Sequence, residues 1–185
     1  MAGEQMVKTN ERTPIGEASF VLGMLALLLA TTATILPRMA LTEENNVKTS
    51  WGVWRKSEGD DATSVEIQCS DLGAANRACV ACQAFSIVAI GAGVIGLAAS
   101  IRLHEIFVGF DKVQIVLLLQ GAGLAAMIVF SVFDAAIING ASDDNPLHNA
   151  SRKESFTLFV LSWILFTISA IAYWLSDDAV PVAPT

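Results

Sequence analysis

The sequence predicts an all-α membrane protein, a left-handed bundle of four transmembrane helices with a small β-hairpin or sheet in the first extracellular loop. Three observations lead there. Four apolar blocks, Ala18–Leu36, Val80–Ile101, Val113–Phe133 and Ser155–Ser176, carry no charged side chain. Each is 19 to 22 residues long, and ~20 helical residues at ~1.5 Å apiece cross a bilayer core. In three of the blocks small residues recur at a 3.5-residue period, the spacing of helices that associate closely with a left-handed twist.

The elements follow in order. Residues 1–17 form a polar tail with Lys8 and Arg12 before the first span. A secretory signal has an apolar core of ~7–15 residues and a small-x-small cleavage site. The first block is longer and ends in Thr-Ile-Leu-Pro, so it is expected to remain as a span at 18–36. Gly16, Ser19, Gly23, Ala26, Ala30 and Ala33 form its small seam. The second span, 80–101, carries Cys79, Cys82, Ser86, Ala89, Gly93, Gly96 and Ser100 at the same spacing. Matching seams predict that these two spans pack on each other.

Residues 37–79 are too many for a bare connection, since structureless loops beyond ~15 residues are uncommon. Val47, Thr49, Trp51 and Val53 alternate with polar residues, as do Val65, Ile67 and Cys69. Ser57-Glu58-Gly59-Asp60-Asp61 between them is a set of turn formers, which predicts one hairpin. Alternation sets Trp51 and Trp54 on opposite faces, Trp51 towards a core and Trp54 as a contact residue.

Arg102–Lys112 is a short charged turn, and the third span runs from 113 to about 138. Gln120, Ser131 and Asp134 share one face of it, by steps of eleven and three residues. An acid within a span is a candidate proton or cation station. The plainer reading is an interfacial acid bonded to Ser131 or a neighbouring helix. The second outer loop covers 139–154, and the last span 155–176. There Ser155, Ser162, Ser169 and Ser176 recur every seventh residue, with Leu158, Leu165 and Ala172 between. Tyr173 and Trp174 stand where an interfacial aromatic belt belongs. The tail 177–185 is expected to be disordered.

Composition narrows the function. The net charge is −7 with no basic block, so no nucleic-acid partner is expected. Two histidines, far apart, and the absence of His-Glu-x-x-His, phosphate-cradling and nucleophile-elbow motifs predict no metal, no cofactor and no enzymatic activity. One membrane domain, 18–176, accounts for the chain.

Four spans put both termini on one side. The tails and inner turn hold four Lys or Arg and the longer loops seven over more residues, so charge density does not set the orientation. Cys69 and Cys79 lie in or beside the long loop, and disulfides persist on the oxidising face. Asn149-Ala150-Ser151 in the other long loop is a glycosylation sequon. Both place the long loops outside and the termini in the cytoplasm.

Arg77–Ile90, RACVACQAFSIVAI, resembles the start of the second span in amastins, surface proteins of trypanosomatid parasites. Thr49-x-Trp51-Gly52 is similar to part of their first-loop signature, and Phe156–Leu175 to their last span. The cysteines that bracket the Trp-Gly in that family are replaced by Val47 and Ser57. Gly52-Val53-Trp54 with Cys69 and Cys79 resembles, more distantly, the first loop of claudins. The resemblance implies a claudin-like fold at the plasma membrane, with Trp51, Gly52, Trp54 and Arg77 as the loop signature. It also implies pairing within the second half of the loop, Cys69 with Cys79. Three free thiols and a redox Cys79-x-x-Cys82 are the alternatives. Cys82 reads as a packing residue, or as an acylation target were the topology reversed.

Three functions remain open. The first is a non-enzymatic surface protein contacting other proteins or an apposed membrane through its first loop, or forming a homo-oligomer. The second is an ion or proton transport subunit using Gln120, Ser131 and Asp134. The third is an accessory scaffold of a larger complex.

Overall fold

A computed structural model describes residues 13–44, 47–58, 64–100, 110–139, 147 and 150–176. Helix α1 spans Pro14–Ile35, starting four residues before the uncharged block. Its start signal is local: Thr13 Oγ1 accepts from the Gly16 amide at 3.2 Å, and proline occupies the first turn. α2 spans Asn76–Ser100, α3 Lys112–Val132 and α4 Glu154–Leu175. At the start of α3, Asp111 and Gln114 form a reciprocal capping box. Beyond Val132, α3 widens into a π-helical turn, Phe133–Ile138, closed by Asn139 N donating to Asp134 O. All four helices are long and apolar enough to cross a membrane, so the chain is a multi-pass membrane protein in contact with lipid.

Each helix packs beside the next, and α4 closes on α1, the broadest contacts being α1 with α4 and α2 with α3. All six small residues of the α1 seam are buried, as are all seven of α2. α1 and α2 pack on each other as expected, though less broadly than α1 on α4, and each seam meets large residues and not the other seam. A Cβ on Gly23 would stand 2.6 Å from Leu97 Cδ2 and 2.9 Å from Ser169 Oγ. One on Gly93 would stand 2.8 Å from Phe166 Cζ, and one on Gly96 3.2 Å from Leu118 and Leu119. Small residues therefore receive large ones from other helices, which fills space that two facing small seams would leave empty.

The same logic changes the reading of α4. Its four serines are buried, but the positions between them are Phe159, Phe166 and Tyr173, not Leu158, Leu165 and Ala172. Tyr173 is 5% exposed and belongs to the core, while Trp174 is 53% exposed. Ser169 Oγ donates to Ser19 O and Ser19 Oγ to Ser169 O, both at 2.8 Å, and Ser162 Oγ donates to Ala26 O at 3.0 Å.

The expected single hairpin is a five-stranded antiparallel sheet in the order β4-β3-β2-β1-β5. β1 is Ala40–Glu44, β2 Val47–Trp51, β3 Arg55–Glu58, β4 Ser64–Glu66 and β5 Ser151–Arg152. β2 pairs with β1 on one side and β3 on the other, and not with β4, because the chain turns at Gly52–Trp54, where Gly52 N donates to Arg55 O at 2.8 Å. β4 then pairs with β3, its register opposing Arg55 and Glu66. β1 and β5 had no periodic signal: β1 reads Ala-Leu-Thr-Glu-Glu, and β5 is two residues long. Because β5 comes from the second long loop, Ala40↔Arg152 and Leu41↔Ser151 put both long loops at the same end of the bundle.

Candidate functional site

The capped end of the bundle gathers most of the residues singled out in the sequence. Trp51 ends β2 and is 7% exposed. Its Nε1 donates to Thr42 Oγ1 at 3.0 Å, and Lys56 Nζ lies 5.4 Å from its ring centroid. Thr42, Trp51 and Lys56 come from three adjacent strands, so the indole fastens the sheet across its width. Met39 N donates to Trp51 O at 2.6 Å, joining β2 to the residues just past α1.

Gly52 follows because nothing larger fits. A Cβ there would stand 2.5 Å from Leu36 O, 2.8 Å from Pro37 Cα and 3.1 Å from Arg55 O. All three are backbone atoms, from the end of α1 and from the turn itself. The Trp-Gly pair is thus a seat for the sheet on α1.

Trp54 departs from its expected role as an outward contact. It lies in the turn and not in a strand, so strand alternation does not apply to it. Its Nε1 donates to Ser86 Oγ at 3.1 Å, and Ser86 Oγ donates to Gln83 O at 2.8 Å. Beside it, Gln83 Nε2 donates to Val53 O at 3.3 Å. Ser86 thus serves both the α2 seam and the docking of the turn. Val53, Ile67, Leu72, Phe133, Ile137 and Leu147 pack beneath the sheet with Met39 and Phe159.

Cys69 and Cys79 are joined in a disulfide, Cα–Cα 5.6 Å. It ties the start of a 3-10 helix, Cys69–Ala75, to the first turn of α2. Gly73 in that helix has φ 51°, a left-handed conformation that favours glycine and lets the chain kink into α2. With a ring of this size, spanning ten residues of separation, chain entropy gives about 3 kcal/mol of stabilisation. Cys82 is the free cysteine, buried, with its Sγ donating to Val129 O at 3.5 Å; the Cys79-x-x-Cys82 spacing forms no pair. Arg77 is exposed on the first turn of α2.

Asp134 sits in the π turn and pairs through Oδ1 with Arg152 Nε of β5, and Arg152 also lies 5.8 Å from the Phe156 ring centroid. The hydrogen bond and charge of Asp134 hold the Arg152 guanidinium above its ordinary value. The acid is therefore a latch between the second long loop and α3. It is bonded neither to Ser131 nor to a neighbouring helix. Gln120 lies about 21 Å away along the helix at ~1.5 Å per residue, and Ser131 is exposed, so the three polar residues share no pocket. Among the described residues no group of His, Cys, Asp and Glu could hold a metal ion. Asn149, His104 and His148 lie outside the described residues.

The sequence reading missed Arg152, Thr42 and Gln83. The first could have been sought among the basic residues of the second long loop, Arg152 and Lys153, opposite the only acid of a span. The other two lacked any signal, since their role is set by which strand and turn they meet.

One face of the sheet runs from the core to the surface. Val65 stands across from Lys56 and Lys56 across from Trp51, so these share a face, which Val47 joins by alternation along β2. That face runs from buried Trp51 to Val47 and Val65, 50% and 61% exposed. No family model matches this chain, and no curated protein matches it. The fold and cap define the class directly: a four-span membrane protein whose two long loops combine in one disulfide-tied sheet.

Proposed function

We propose that the chain is a non-enzymatic surface protein of amastin type, multi-pass in the plasma membrane with cytoplasmic termini. Its sheet contacts other proteins or a closely apposed membrane. One observation carries the reading: both long loops are built into a single sheet, fastened by a disulfide and an ion pair, that exposes two valines. A loop held this firmly forfeits little conformational entropy on binding, which favours recognition by a pre-shaped surface. The resemblance of Arg77–Ile90 and Thr49–Gly52 to amastins supports the same role.

The test is to replace Val47 and Val65 with Glu in the intact protein and compare crosslinked neighbours on the cell surface. Loss of specific neighbours, with the disulfide still formed, is the expected result. An unchanged set of neighbours would refute the sheet as the contact surface.

A further inference from the structure

The cap leaves one chemical problem unsolved in the membrane. Gln120 is half-buried in α3, eight residues and about 12 Å from Lys112, near the middle of a hydrocarbon core ~30 Å thick. Its amide has no hydrogen-bond partner among the described residues. Hydrocarbon offers neither donor nor acceptor, so an amide left in lipid is costly and draws another polar group towards it. The surface around Gln120 is open. Leu117 and Leu124, on the same side of α3, are 63% and 44% exposed, and a Cβ on Gly121 would meet nothing within 4 Å. Gly121 thus allows a second helix to approach closely where the amide needs a partner.

We infer that α3 is the self-association helix of this protein, two copies packing α3 against α3 with their Gln120 amides bonded to each other. A primary amide carries donors and an acceptor, so it complements itself. Two copies inserted in the same direction carry Gln120 at the same depth. A two-fold axis along the membrane normal therefore brings the amides together. Among the described residues, Asp134 is paired with Arg152 within each copy, and Lys112 Nζ donates to Ser176 O, which turns the ammonium towards α4 of its own copy. The inference does not depend on the outward role of the sheet.

The experiment uses the full chain with one fluorophore at its N-terminus, in phosphatidylcholine liposomes over a range of protein-to-lipid ratios. Bleaching steps per spot count the subunits. The wild type is expected to be a dimer. Gln120→Leu weakens dimerisation about tenfold, as ~1–2 kcal/mol of interhelical hydrogen bonding implies. Gln120→Asn restores most of it, and Gly121→Leu abolishes it by holding the helices apart. Leu117→Cys and Leu124→Cys crosslink to a second copy, while Leu161→Cys on α4, 44% exposed, does not. Cys82 is buried and stays out of the reaction. Retention of the Cys69–Cys79 disulfide and of the wild-type unfolding midpoint in each variant shows that the fold is intact. A wild-type monomer at every ratio overturns the inference, as does a dimer indifferent to Gln120→Leu. Crosslinking of Leu117→Cys in cell membranes to a different protein only, with none to its own copy, overturns it as well.

Discussion

The same substitution at two glycines separates the reasoning about the cap from general effects of glycine. Gly52→Ala forces a methyl against Leu36 O at 2.5 Å, Pro37 Cα at 2.8 Å and Arg55 O at 3.1 Å. None of these is a flexible side-chain end, so relief requires opening the β2–β3 turn or lifting the sheet from α1. Overpacking a tight site costs about 1–3 kcal/mol, and rigid backbone on every side puts this case at the upper end. Opening the turn also strains the bonds from Gly52 N to Arg55 O and from Met39 N to Trp51 O. Each is worth ~1 kcal/mol net. A loss of about 3 kcal/mol follows, similar to that expected from removing the disulfide. For a chain of this size it lowers the unfolding midpoint by roughly 6–12 °C. Gly91→Ala should act in the opposite direction. It lies within α2 with nothing inside 4 Å of the added methyl, so alanine gains about 0.5–1 kcal/mol of helix propensity. Thermal unfolding of purified protein in detergent, followed by tryptophan fluorescence, reads both changes. A Gly52→Ala variant within about 0.5 kcal/mol of wild type would sink the account of the Trp-Gly seat.

Two further outcomes follow from the bundle and the latch. Ser19→Ala with Ser169→Ala removes two reciprocal hydrogen bonds whose acceptors are backbone carbonyls, so no buried donor is orphaned. The double variant should lose only about 1 kcal/mol in a denaturing-detergent titration; a loss above about 3 kcal/mol would mean that these bonds, and not close packing, hold α1 to α4. For the latch, the Arg152 pKa is raised in the folded protein by its bond to Asp134 and by that charge. The stabilisation is therefore fully present below the unfolded value and lost only as pH rises through the folded one, beyond the ordinary alkaline range. Arg152→Lys should instead become alkali-sensitive near pH ~10–11, and a difference in unfolding midpoint that stays flat with pH would refute the pairing.

The spans and their buried faces were legible because burial in a bundle follows helical period, and small residues at that period have no other common cause. The partners of those faces were not legible. Period tells which side of α1 is buried but not whether Leu97 or Ser169 fills the space over Gly23. The sheet was half-legible for a related reason. β2 and β4 announce themselves by alternation at Val47–Trp51 and Val65–Ile67, yet β1 and β5 are strands only because those two supply edges to complete. Trp54 was misplaced by carrying alternation past Gly52, where backbone crowding ends the strand. The latch was legible only in part: the loop offers basic residues to the acid of the third span, but a π turn re-aims Asp134 in a way no regular helical wheel anticipates.

The sharing of β1 between two loops has a mechanical consequence. β1 follows directly on α1 and pairs with β5, which leads directly into α4. Lys153 N donates to Met39 O and Ser155 N to Arg38 O, both at 2.9 Å, so the strand pairing continues into the helix ends as a strap. α1 and α4 are therefore fixed at the capped end by backbone bonds and along their length by the Ser19–Ser169 pair. α2 is held to the cap by the disulfide and by Gln83 and Ser86, and α3 by Asp134 alone among its polar side chains. The helix with the fewest polar bonds to the cap is also the one whose Gln120 amide has no partner among the described residues. A rearrangement that accompanies association through α3 would then reach the sheet through Arg152 and through the apolar contacts of Phe133 and Ile137. Severing that pair with Asp134→Asn should uncouple the two ends without unfolding either.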